Sequence, residues 1–154
     1  MADQKISELT ELTTPADGDF IPIVDVAVGG NKKISRENLA GWHFLATPLT
    51  STSWDGDTKG TGDRATVDLS AVFGVPAGVK AVMMTIQTQA DAENDYIRFG
   101  PNSTYNHALT CRTAVAGQIA HAFGIVPCDS NGDIYCYPSA TIAGVQVYIW
   151  GYWL

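Results

Sequence analysis

Basic residues are few in this sequence. Nine Lys and Arg stand against sixteen Asp and Glu, the formal net charge is −7, and the one adjacent basic pair is Lys32-Lys33. Duplex binding needs clustered cations to displace counterions, so nucleic acid is not an expected partner. Cysteine is scarce as well. Cys111, Cys128 and Cys136 are odd in number and form no C-x-x-C pair. A zinc site would need tighter ligand spacing, so the three read as free thiols of a reducing cytoplasm. No apolar run approaches the ~20 residues that cross a bilayer. Asp3, Gln4 and Lys5 lead into the fold without the apolar stretch of a secretory signal. The expectation is a chain made soluble in a cytoplasm, with no membrane insertion. Long runs of Leu, Glu, Lys and Ala are also missing, which argues against a helical protein.

Gly, Ser, Thr, Asn and β-branched residues take their place, and that bias favours strands and turns. Charged residues make up 16% of the chain and aromatics 10%, a balance that excludes disorder. With 154 residues, the chain is one domain, or one domain with a short appendage.

Composition divides it into three regions. Residues 1–41 form an opening segment. Ile6, Leu9 and Leu12 recur at three-residue spacing, Pro15 to Asp19 has the chemistry of a turn, and Phe20 to Val28 is β-rich, with Pro22 marking a sheet edge. Gly29-Gly30-Asn31 turns the chain, and Lys32-Lys33-Ile34 is suited to return as a hairpin partner. Ser35 reads as an N-cap, with Glu37 in the first turn of a helix toward Leu39 and Gly41 as its stop. Residues 42–65 are rich in Ser, Thr, Gly and Asp around a single Trp54, and read as a linker. Residues 66–154 read as strand after strand. Val67 and Leu69 alternate with polar neighbours. Val82, Met84 and Ile86 share one face, as do Val145, Val147 and Ile149. Asn131-Gly132 is a strong hairpin-turn signal between Ile119–Val126 and Ile134–Tyr137. The expected fold class is all-β, an antiparallel β-sandwich.

Candidate chemistry is thin. Asp55, Asp57 and Asp63, with Gly60 between, partly match a calcium loop, but Lys59 takes a ligand position and Thr66 stands where a bidentate Glu belongs. A polar linker is the preferred reading. Asp91, Glu93 and Asp95 crowd one loop and read as a solvated acidic turn. His43, His107 and His121 have no H-x-x-x-H partner, and there is no G-x-S-x-G elbow. No catalytic residue, metal or cofactor is expected. Tyr96, Tyr105, Asn106 and His107 surround an Asn- and Ser-rich loop. Aromatic faces beside amide groups can bind sugars or protein surfaces, though packing roles explain the same residues.

The opening segment is too small to shield its own apolar residues. Units below ~40 residues usually need disulfides, metals or oligomerisation. Ile6, Leu9, Phe20, Ile21, Ile23, Val24, Ile34 and Leu39 are therefore expected to pack on other chains.

The stretch KISELTELTTPADGDFIPIVD, followed by a Gly-rich turn and NKKISRENL, resembles the N-terminal segments of tailed-bacteriophage fibre and virion structural proteins. PLTSTSWDGD, VDLSAVFGVPAGVKAV, VPCDSNGDIYCYP and IWGYWL resemble the jelly-roll-like domains of phage fibres. The resemblance implies a homotrimeric virion protein, with residues 1–41 attaching it to other virion proteins of tail or capsid and the β domain displayed. The expectation is a non-enzymatic short fibre or spike, with host-surface glycan as a candidate partner of Tyr96, Tyr105, Asn106 and His107. The alternatives are a capsid decoration protein and, third, a polysaccharide depolymerase.

Overall fold

The structure is a computed structural model and describes residues 20–25, 30–35 and 41–154. The chain divides into two compact units, Met1–Leu39 and Ala40–Leu154.

In the first unit, β1 (Phe20–Asp25) and β2 (Gly30–Ser35) pair antiparallel, with Ile21 opposite Ile34 and Ile23 opposite Lys32. Phe20, Ile21, Ile23 and Val24 thus lie on one strand and Ile34 on its partner. Ile6, Leu9 and Leu39 lie outside the described residues. Ser35, expected to cap a helix, is the last residue of β2, and the helix expected after it also falls outside them.

The second unit is an antiparallel β-sandwich. One sheet has the order β5 (Ala65–Val67), β10 (Ile134–Pro138), β7 (Tyr96–Gly100), β8 (Leu109–Arg112). The other has the order β3 (Trp42–Leu49), β11 (Ile142–Trp153), β6 (Ala81–Gln89), β9 (Ile119–Pro127), with β4 (Asp55–Lys59) pairing a further stretch of β11. The period-two alternation expected of β6 and β11 is observed. Val82, Met84, Ile86, Val145, Val147 and Ile149 all point inward and are buried. They meet Ile97, Phe99, Cys111, Ile134 and Cys136 of the opposing sheet. Alternation puts one side of each strand into the core and leaves the other facing out.

Three expectations are corrected. Residues 42–65 are not a linker, because β3 and β4 are strands of the five-stranded sheet and Trp54 is buried against Phe73 and Phe99, ring centroids 6.3 and 5.8 Å away. Backbone pairing is available to any residue with an N–H and a C=O, so the polar run DGDTK can serve as an edge strand. Leu69 does not continue the strand of Val67. It opens a short helix, α1 (Leu69–Phe73), because Asp68 accepts from the Ala71 N–H at 2.9 Å and halts extended pairing. Gly74, at φ 74°, closes the helix by donating to Ser70 O at 3.1 Å.

The third correction concerns Asn131-Gly132. The turn forms, with Gly132 at φ 94°. Yet β9 and β10 do not make a hairpin: β9 pairs with β6, and β10 with β5 and β7. The turn carries the chain from one sheet to the other. Asn131 O accepts from the Gly78 N–H at 3.2 Å, and a Cβ on Gly132 would stand 2.7 Å from Gly78 N. That contact docks the turn on the loop before β6.

Candidate functional site

The loop from Pro101 to Ala108 joins β7 to β8. Asn102 shapes its first half, its Oδ1 accepting from the Thr104 and Tyr105 N–H groups at 3.0 Å each. Asn106 Nδ2 donates to Ser103 O at 2.8 Å and ties the second half. Gly100 supplies the room beneath: a Cβ there would collide with the Tyr105 carbonyl and stand 2.7 Å from Asn106 Cα. The loop is thus braced by local polar contacts and close backbone packing. Tyr105 is 64% exposed, His107 is exposed and Asn106 half-buried.

Tyr96 does not join them. It begins β7, and Gly100, against which the loop packs, ends it. Four residues of extended chain separate the two by about 13 Å. Tyr96 lies instead between two guanidinium groups, with Arg98 at 4.2 Å and Arg112 at 5.4 Å from its ring centroid. The four expected contact residues therefore divide into a loop group, Tyr105, Asn106 and His107, and a separate residue on the sheet.

Asp55 and Asp57 lie on β4 rather than in a cation-binding loop. Gln146 Nε2 donates to Asp55 Oδ1 at 3.1 Å, and Asp63 accepts from the Gly60 N–H at 2.6 Å. Of the acidic turn, Asp91 and Glu93 are exposed, while the Asp95 carbonyl accepts from the Thr113 N–H at 2.8 Å and Asp95 Oδ1 lies 3.5 Å from the Ser139 hydroxyl. Asp55, Asp63 and Asp95 thus hold partners within the fold, while Asp57, Asp91 and Glu93 are exposed.

Displaced titration follows the same logic. Asp68 is held below its ordinary range by the Ala71 N–H and the Ser70 hydroxyl. Asp133 is moved up, chiefly by burial, while its Oδ1 accepts from the Leu69 N–H at 3.2 Å. Burial pushes the Cys111 thiol up, and carries Cys128 and Cys136 up to about 12, with Asp129 and Asp133 adding to the shift at Cys128. A thiol so displaced is protonated at neutral pH and a poor nucleophile.

The two outward faces of the sandwich differ in kind. Arginines line the outer face of the four-stranded sheet: Arg64 stacks 4.1 Å above Tyr137, and Arg98 and Arg112 flank Tyr96. On the five-stranded sheet, the outward residues include Trp42 and Phe44 of β3, Gln146, Tyr148, Trp150 and Trp153 of β11, Met83, Thr85, Gln87 and Gln89 of β6, and Ile119, His121, Phe123 and Ile125 of β9. Strands β3, β6, β9 and β11 place no Asp, Glu, Lys or Arg on this side. Trp42 stacks on Phe44 at 6.3 Å and meets Trp153 edge-on at 5.7 Å. Asp55 borders the face beside Gln146. This surface was missed in the sequence, although the apolar-on-both-sides pattern of Ile119 to Val126 is the signal of a strand covered twice.

No protein-family model and no curated protein matches the sequence.

Proposed function

We propose that this protein is a non-enzymatic structural component of a tailed-bacteriophage virion, a short homotrimeric fibre or spike whose β domain is displayed on the particle. Its first unit serves for attachment to other virion proteins, and its sandwich is the displayed part. The observation that carries this reading is the division of the chain at residue 39 into a small unit containing a β-hairpin and an antiparallel sandwich. It accords with the resemblance of residues 1–41 to phage attachment segments. A domain that works by presenting surface uses rigid loops, and the braced loop at residues 101–108 is of that type. Capsid decoration is the second reading, since a clamp on the shell also needs an anchor and a β domain.

Antibody labelling of intact particles tests the proposal. Label at the tail supports the fibre or spike, label over the head supports decoration, and absence of the protein from purified particles overturns both. Shortening of host polysaccharide on incubation with the purified protein would overturn the non-enzymatic reading.

A further inference from the structure

The outer face of the five-stranded sheet is built like a core surface. Phe44 is 70% exposed, Phe123 63%, Ile119 59%, Ile125 52%, Trp153 39% and Trp150 36%. With the usual 150–250 Å² for a large side chain, these six leave roughly 600 Å² of apolar area open. The largest apolar patch of an ordinary monomer is about 300–600 Å², and a stable interface takes about 800 Å² from each partner. The half-buried Met83, Tyr148 and Trp42 extend the same face toward that size.

Charge bears on whether a second copy can be the occupant. The chain carries a formal net charge of −7, so two copies repel over most of their surfaces. On the outward face, β3, β6, β9 and β11 carry no Asp, Glu, Lys or Arg, and Asp55 of β4 at the border is held by Gln146, so identical copies can approach over these four strands without burying an unpaired carboxylate. A lipid surface would be met by Lys or Arg, and β3, β6, β9 and β11 carry none. The polar groups on it are already served in part: the Trp150 indole N–H donates to Thr85 Oγ1 at 3.0 Å, so its burial leaves no orphan donor.

We infer that a second copy of this chain covers this face, so that assembly runs through the outer side of the five-stranded sheet, with Phe123 near the middle of the β9 contribution. The inference rests on the reading of a self-associating protein and adds a contact in the second unit to the one expected from residues 1–41.

The experiment uses the full-length protein. Its mass is measured by light scattering and sedimentation over a concentration series, and hydroxyl-radical footprinting reads Phe123 in the assembled state. The expected result is an oligomer in which Phe123 is protected at high concentration and reactive on dilution. Phe123→Asp should weaken association at least tenfold with unchanged circular dichroism, and the neutral, β-compatible Phe123→Thr should weaken it to a lesser degree. A wild-type monomer at all concentrations overturns the inference. So does an oligomer in which Phe123 stays fully reactive, since that assembly would run through another surface. Absence of the protein from virions would fail the proposed function and leave this result standing.

Discussion

Trp150 donates its indole N–H to Thr85 Oγ1 at 3.0 Å across the strand boundary between β11 and β6. Trp150 sits where the register of β11 shifts between Ile149 and Gly151, so both ladders step at this residue. The extra residue of such a bulge turns its side chain outward and is commonly used to aim it. Here the polar edge of the ring is satisfied within the chain, and its apolar surface joins the aromatic group of Trp42, Phe44 and Trp153 on the same side. Gly151, directly after the bulge, lets β3 come close: a Cβ there would stand 2.7 Å from His43 O.

Trp54 should be costly to remove. It is 7% exposed, lies between Phe73 and Phe99, and carries the Lys59 ammonium 4.4 Å from its ring centroid. Trp54→Ala is expected to lose about 3–5 kcal/mol of stability through the lost burial and the cavity left behind. Urea unfolding monitored by far-UV circular dichroism measures it. A loss under about 1 kcal/mol would show that Trp54 contributes little to the core.

The thiols should be silent in the native protein. Cys111 and Cys136 are buried, Cys128 is partly so, and all three are free. Cys128 and Cys136 are displaced up to about 12, so almost none of either is thiolate near pH 8. Reaction with a chromogenic disulfide reagent is expected to be slow in buffer and to reach three equivalents once the chain is denatured. Rapid native labelling of Cys136 would contradict its burial.

Asp68 should give the acid side of the stability profile part of its slope. Its folded value lies below the ordinary 3.8, so its contribution is complete above that value and is lost as pH falls through the folded one. Asp133, displaced upward by burial, works in the opposite sense, contributing below its unfolded value and losing that contribution as pH rises through the folded one. Asp68→Asn keeps an acceptor for the Ala71 N–H and removes the titration. Asp133 is present in wild type and variant alike; the variant loses the push from the Asp68 carboxylate, while burial, the larger cause of its displacement, stays. Denaturation midpoints between about pH 2 and pH 6 should therefore fall less steeply with acid in Asp68→Asn than in the wild type. Parallel profiles would remove Asp68 from the account.

Tyr105 and His107 should matter to surface contact and little to folding. Both are exposed on a loop whose shape depends on Asn102 and Gly100 rather than on them. The double replacement Tyr105→Ala and His107→Ala is expected to stay within about 0.5 kcal/mol of wild-type stability. If the loop contacts the host, particles carrying it should adsorb more slowly, an effect that several copies amplify. Adsorption at the wild-type rate would assign the two residues to surface cover and favour the decoration reading.

Of the candidate contact residues, the loop group was legible and the grouping with Tyr96 was not. Asn102, Ser103 and Asn106 are turn-forming residues, so the loop and its exposed Tyr105 follow from local chemistry. Tyr96 is near them in sequence, but an extended strand carries the chain rise over its full length, so short sequence separation became distance. The two guanidinium groups that flank Tyr96 come from β7 itself and from β8.

What the sequence determined by itself was what acts over a few residues. The inward sets Val82, Met84, Ile86 and Val145, Val147, Ile149 follow from the two-residue period of a strand, and the turn at Asn131-Gly132 follows from the tolerance of those residues for positive φ. Tertiary structure decided which strands are neighbours. Pairing uses backbone groups that every strand possesses, so composition could not assign β9 and β10 to different sheets or draw the polar β4 into one. It also decided which faces turn outward together. The apolar surface of Phe44, Ile119, Phe123, Ile125, Trp150 and Trp153 combines three strands from distant parts of the chain, and only closure of the sandwich brings those residues to one side, opposite the side that carries the arginines.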